Sequence, residues 1–217
     1  MNNWIGIIVS FAFVFAVLFL AKFVERLGKE ASRKTVHIAV SNWWLIAMVF
    51  FDAPLWAAIV PACFVVLNYL SYRTGLFGAM ERDTESGKGD LGTVYYAVSL
   101  LILALLTFGP GKDPLVGAVG ILIMGYGDGL AALIGKKFPV GRYKILGSNK
   151  SLSGNLTMFV ASLLTLLILF SVTGQPAILI PALVIAALAT LVEGLTPLGL
   201  DNLSVPLLSA LAFVLIF

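Results

Sequence analysis

Apolar runs dominate this chain. Eight of them, near 4–22, 36–51, 55–72, 92–109, 115–134, 152–172, 177–193 and 203–217, cross a bilayer or nearly so, a task that takes roughly 17–25 helical residues. None alternates with a strand period, which argues against a membrane barrel. Only 12% of the 217 residues are charged and 60% are hydrophobic, whereas about a quarter of a soluble domain is charged. The expected fold is all-α: a polytopic integral membrane helical bundle of seven or eight transmembrane helices, with residues 1–217 forming a single transmembrane domain. The last run holds fifteen residues, about 22 Å of helix, so it is expected to be a partial span. The first run lacks a basic start and a small-residue cleavage site, so it reads as a span and not as a signal peptide.

Charge segregation sets the orientation. Segments 22–35, 73–91 and 135–151 fall on one face of the alternating spans and hold thirteen of the fourteen lysines and arginines, Lys112 being the exception. By the positive-inside rule that face is cytoplasmic. Most acids fall there too, and only Asp52 and Asp113 fall on the other side. Chemistry is therefore expected at the cytoplasmic helix ends.

Three carboxylates stand out at that level. Asp128 lies near the end of the fifth run, flanked by Gly125, Gly127 and Gly129. Each glycine weakens a helix by about 1 kcal/mol relative to alanine, and each admits close approach by a ligand or a neighbouring helix. Glu193 ends the seventh run and Asp201 opens the eighth, followed by Asn202. Asp201 has a second reading as a helix cap. Three acids on three helix ends at one depth fit a divalent-metal site, because magnesium carrying a nucleotide uses one or two carboxylates plus phosphate oxygens.

The segment after Asp128 carries Lys136, Lys137, Arg142, Lys144 and Lys150 with Gly135, Gly141 and Gly147. It reads as a flexible positive loop: a topology signal, a contact for acidic lipid, or a phosphate cradle. It is not a Walker A loop, because "GSNKS" lacks the required glycine spacing. Arg33 and Lys34 precede His37 by about one turn, and all three also fit a plain interfacial reading. The stretch "GKGDLGT", 87–93, opens a further helix that Asp90 could cap. Cys63 is the single cysteine and His37 the single histidine, which excludes disulfides, iron–sulfur clusters and a two-histidine zinc motif.

Taken in order, these pieces resemble the CTP-dependent polyprenol kinases, a family that includes dolichol kinase, phytol kinase and the yeast-type diacylglycerol kinase. The nucleotide motif, Asp-x-x-Ala-x-x-x-Gly, matches at Asp128, Ala131 and Gly135, then at Gly141, Lys150, Ser151 and Gly154. The "RKxxHI" start matches at Arg33, Lys34, His37 and Ile38, and the "DNLxVPL" ending at Asp201–Leu207, with Glu193 before it. Asn149 and Ser153 depart from the pattern, standing where the family has a lysine and a glutamate.

The resemblance implies transfer of the γ-phosphoryl group of CTP, or another nucleoside triphosphate, to the hydroxyl of a membrane isoprenoid alcohol. It implies Mg²⁺ at Asp128, Glu193 and Asp201, with one of these acids, or His37, in a catalytic role. Gly127, Gly129, Gly135, Lys136, Lys137, Gly141, Lys150, Ser151, Gly154, Asn202 and Arg33 would bind nucleotide. The expected partners are the lipid alcohol and the nucleotide, with room for a homo-oligomer and no nucleic acid. The expected place is a prokaryotic plasma membrane, with the site facing the cytoplasm. Two other classes compete: a phosphatidate cytidylyltransferase-like CDP-lipid synthase, and a non-enzymatic transporter. Transporters favour ionisable residues at mid-membrane and a repeat; here the acids keep to one face.

Overall fold

The computed structural model describes residues 2–74, 91–146, 148–176, 178–197 and 199–217. The stretch 75–90, with Glu81, Arg82, Asp83, Glu85, Lys88 and Asp90, lies outside the described residues, as does Gly147.

The chain is helical almost throughout. The elements are α1 (Asn3–Val24), α2 (Lys29–Ser41), α3 (Trp43–Phe50), α4 (Pro54–Thr74), α5 (Gly92–Thr107), α6 (Pro114–Leu122), α7 (Gly129–Lys137), α8 (Leu152–Thr173), α9 (Leu179–Leu195) and α10 (Asp201–Ile216). One antiparallel hairpin, β1 (Arg142–Ile145) and β2 (Ser148–Ser151), interrupts them. Four stretches are long and apolar enough to cross a membrane: α1, α4, α8 and the continuous helix Pro114–Lys137. Helices α5, α9 and α10 are apolar but shorter, at 16, 17 and 16 residues.

Two expectations are corrected. The second apolar run, 36–51, is not one span. It is α2 and α3, broken at Asn42, whose side-chain amide donates to Ile38 O at 3.0 Å. Asn42 Oδ1 in turn accepts from Tyr126 Oη at 3.0 Å. An asparagine that bonds its own backbone competes with helix continuation. Helix α2 also starts at Lys29, inside the segment expected to be a loop. The second correction concerns 135–151. Lys136 and Lys137 finish α7, and most of the rest forms the hairpin, with Tyr143 opposite Lys150.

The helix Pro114–Lys137 is the centre of the bundle. Asp113 caps its start, accepting from Leu115 N at 2.8 Å, and Pro114 takes the first position, where its missing N–H is not needed. Glycines then let other helices close on it. A Cβ at Gly117 would run into the Trp44 ring, and one at Gly120 into the Pro206 carbonyl. Trp44 is fully buried and donates to Pro114 O at 2.9 Å. At the far end from the hairpin, Asn3 Nδ2 ties α1 to Asp52 at 2.8 Å. The outer faces of α1, α4 and α8 expose Phe15, Phe19, Leu67, Leu164 and Ile168, the arrangement expected of surface that meets lipid.

The crossing at Gly120 makes a stability prediction. Gly120→Ala gains up to about 1 kcal/mol of helix propensity, but the new methyl meets backbone that cannot rotate away. Overpacking of that kind costs about 1–3 kcal/mol. The variant should therefore unfold at a lower temperature than wild type in detergent, and equal or higher stability would contradict the crossing.

Candidate active site

The three acids converge. Asp128, Glu193 and Asp201 each offer a carboxylate oxygen, and these atoms lie within 4.8 Å of one another. All three residues are buried, at 4%, 6% and 6% exposure. Asp128 ends a π-helical turn, Ile123–Asp128, that joins α6 to α7. Such turns are rare and occur frequently at functional sites. Glu193 comes from the last turn of α9 and Asp201 from the first of α10, so the two flank a connection of five residues. Asp201 is fixed by its neighbour: Oδ1 accepts from the Asn202 backbone N–H at 3.0 Å and from Asn202 Nδ2 at 3.1 Å. Asn202 Nδ2 also donates to Gly199 O at 3.0 Å.

Like charges this close repel. At an effective dielectric of about 20, two carboxylates within about 5 Å cost roughly 3 kcal/mol. Two lysines answer them, Lys34 buried and Lys150 partly buried. Lys34, at 1% exposure, donates to Asp128 Oδ2. Lys150 donates to Glu193 Oε1, to Glu193 O at 2.9 Å and to Asp201 Oδ2 at 3.4 Å. Burial works against the Lys150 ammonium, but Glu193 and Asp201 more than offset it and hold its pKa above the ordinary lysine value. Lys150 reaches this position because β2 leads straight into α8, whose first turn Ser151 caps by accepting from Gly154 N at 3.1 Å.

His37 stands beside the cluster. Lys34 and His37 are spaced i, i+3 on α2, so they share a face, and that face meets Asp128. His37 Nε2 lies 3.6 Å from Asp128 Oδ2, and the imidazole stacks on Tyr96 with centroids 4.1 Å apart. Arg33 is buried and pairs with Glu30 at 2.7 Å. Lys136 and Lys137 are exposed on the last turn of α7, with Lys137 Nζ 5.4 Å from the Phe138 ring centroid.

The glycines around Asp128 serve helix contact. A Cβ at Gly125 would strike Ser41, one at Gly129 would strike Ile38, and one at Gly127 would come within 2.7 Å of Met158 Sδ. Two of the three glycines thus seat α2, and one seats α8. Gly135 and Gly154 face each other across α7 and α8, since a Cβ on Gly135 would sit 3.1 Å from Gly154 Cα. Gly141 has φ +63° at the entry to the hairpin, a conformation that favours glycine. Ser153, where the resemblance leads one to expect a glutamate, donates to Phe138 O at 2.6 Å and so ties α8 to the end of α7. Asn149 is exposed on β2.

Beside the acids stand Lys34, which belongs to the "RKxxHI" match but not to the candidate ligands, and Tyr96, which belongs to neither. The i, i+3 spacing of Lys34 with His37 is the signal that could have found it. Tyr96 carries no such signal, because only packing brings α5 against α2.

Removing Lys150 tests the cluster. Lys150→Met leaves Glu193 buried beside two other acids, and breaking a buried pair from one side costs about 3–5 kcal/mol. A raised lysine pKa means that this contribution is complete below the unfolded value, about 10.4, and fades as pH rises through the higher folded value. The stability gap between wild type and Lys150→Met should hold from neutral pH to about pH 10 and narrow above it. A gap that closes by pH 8 would contradict the pairing.

No family model matches the chain, and no solved structure matches it. Curated relatives do. A phytol kinase of Synechocystis sp. is 35% identical over 214 residues, covering 96% of this chain and 90% of that protein. A probable chloroplastic phytol kinase 1 of Oryza sativa is 31% identical over 87% of the chain and 65% of its own length. The chloroplastic phytol kinase 1 of Arabidopsis thaliana is 30% identical over 87% of the chain and 67% of its own length. With a 35% identical relative matched over nearly the whole of both chains, this chain belongs to the phytol kinase family.

Proposed function

We propose that this chain is a lipid-alcohol kinase. It transfers the terminal phosphoryl group of a nucleoside triphosphate, CTP by family likeness, to the hydroxyl of a membrane isoprenoid alcohol such as phytol, geranylgeraniol or a polyprenol. The observation that carries the reading is the buried acid cluster at the lysine-rich end of an apolar helical bundle, in a chain related to phytol kinases. A long prenol keeps its tail in the bilayer and its hydroxyl at the interface, and the nucleotide stays in water. A site at the helix ends serves both.

The donor set fits Mg²⁺: all its ligands are carboxylate oxygens, the hard ligands this ion takes. Asp128, Glu193 and Asp201 would hold it, and when bound it would neutralise the nucleotide's phosphate oxygens. Counting three ionised acids against Lys34 and Lys150, the cluster carries one net negative charge, which attracts a divalent cation, while the polyphosphate is answered by lysines. Phosphoryl transfer needs mainly positioning and charge stabilisation. Lys34 and Lys150 supply fixed positive charge, Asn202 orients Asp201, and the exposed Lys136 and Lys137 attract nucleotide from solution. In this reading the protein is a single domain with seven or eight crossings, α5, α9 and α10 included. Its acid cluster faces the cytoplasm of a prokaryotic plasma membrane.

Purified protein given CTP or ATP, Mg²⁺, and phytol, geranylgeraniol, a long polyprenol or diacylglycerol should yield a phosphorylated isoprenoid and a nucleoside diphosphate. Transfer of the cytidine moiety with release of pyrophosphate would overturn the kinase reading in favour of a CDP-lipid synthase. Asp128→Asn and Asp201→Asn should each lower kcat by about a hundred-fold or more, and full activity in a correctly folded Asp128→Asn would sink the metal assignment. For the topology, a cysteine at the exposed Lys144, in a Cys63→Ala background, should react only with reagents added from the cytoplasmic side.

A further inference from the structure

Among the described residues, the buried side-chain atoms without a hydrogen-bond partner are Ser10 Oγ, His37 Nε2, Trp43 Nε1, Tyr96 Oη and Ser209 Oγ. Buried polar atoms are normally paired, and an orphan calls for a reason such as a ligand. Three of these orphans belong to residues that line one cavity: His37, Trp43 and Tyr96. That cavity, of about 70 Å³, lies among α1, α2, α3, α4 and α5.

The cavity has a polar end and an apolar end. Arg33, Asn68 and Thr93 line it near the lysine-rich helix ends, whereas Val60, Phe64 and Leu100 line it deeper in the bundle. Asn68 and Val60 are eight residues apart on α4, and Thr93 and Leu100 seven apart on α5, so the lining runs roughly 10–12 Å along the helices. His37 is the shared wall. It lines the cavity and lies 3.6 Å from the Asp128 carboxylate.

We propose that this cavity is the acceptor subsite, taking the hydroxyl end of an isoprenoid alcohol; the assignment rests on the kinase reading above. His37 Nε2 accepts a hydrogen bond from the hydroxyl, and Tyr96 Oη donates to its oxygen. The hydroxyl then lies one side chain away from the acid cluster, within range of a phosphoryl group held there. A cavity of about 150 Å³ is filled by one benzene, so 70 Å³ holds only the head of the chain. The remaining isoprene units leave between helices into lipid. The subsite therefore reads the hydroxyl and the first few carbons, and leaves tail length unread.

The full chain in lipid nanodiscs, photolysed with a geranylgeraniol analogue carrying a diazirine near its hydroxyl, should be labelled on α2 and α5 around His37 and Tyr96. Val60→Trp fills the cavity and should reduce that labelling about ten-fold, and it should raise the acceptor KM by a similar factor with the nucleotide KM unchanged. Labelling elsewhere, labelling of the cavity that Val60→Trp leaves intact, or equal labelling by a diazirine phosphatidylcholine would overturn the subsite. Should Val60→Trp not fold, His37 decides. His37→Ala should lower kcat/KM for the alcohol by about a hundred-fold, and His37→Gln, which keeps an acceptor atom, should restore about a tenth of the wild-type value. Equal loss in both variants would assign His37 a packing role and overturn its hydroxyl contact. Cavity labelling in a wild-type protein that phosphorylates no isoprenoid alcohol would leave the subsite standing and remove the kinase reading. Phosphorylation with labelling elsewhere would do the reverse.

Discussion

Two ammonium groups hold three buried carboxylates together, and the lysine-rich end of the bundle is arranged around that contact. Lys34 comes from α2 and Lys150 from β2; Asp128, Glu193 and Asp201 come from the π-turn, α9 and α10. Without the lysines, the acids would face each other in a place with little water, where an unpaired charge is very costly. With them, five elements, from α2 to α10, are fixed to one point. The hairpin, small and otherwise exposed, gains its position through Lys150 and through the Tyr143 hydroxyl, which meets Asn155 Oδ1 at 3.0 Å.

The central helix draws its neighbours onto the cluster. Its glycines bring α2 and α8 close enough for Lys34 and His37 to meet Asp128. Under the proposed function, the nucleotide approaches past the exposed end of α7, and the alcohol through the cavity on the far side of His37. A reaction that joins a water-soluble donor to a membrane-bound acceptor needs that geometry. The proposed chemistry adds little that is covalent, since positioning and charge carry phosphoryl transfer.

Much of this was legible in the amino-acid sequence, for physical reasons. Long apolar runs without alternation can only be helices in lipid, and acids at helix ends on one side of a bundle share a depth, so Asp128, Glu193 and Asp201 could be grouped before their side chains were seen to meet. The break at Asn42 was hidden, because an asparagine inside an apolar run reads as a tolerated polar residue until its amide is found on Ile38 O. The glycines beside Asp128 invited a ligand reading, and the structure uses them to seat α2 and α8. Lys34 looked like one of many topology cations; helices apolar on every side carry no mark of which face turns inward. The hairpin was hidden because four-residue strands rich in charge lack an apolar period.

The central claim is that the three acids together hold one divalent cation with its nucleotide. Electron paramagnetic resonance of Mn²⁺, titrated into the purified protein with a nucleoside triphosphate, tests it without any turnover. One Mn²⁺ bound per chain in wild type, lost in Asp201→Asn and in Glu193→Gln, is the expected result. Mn²⁺ bound with the same affinity after all three carboxylates are replaced by amides would contradict it.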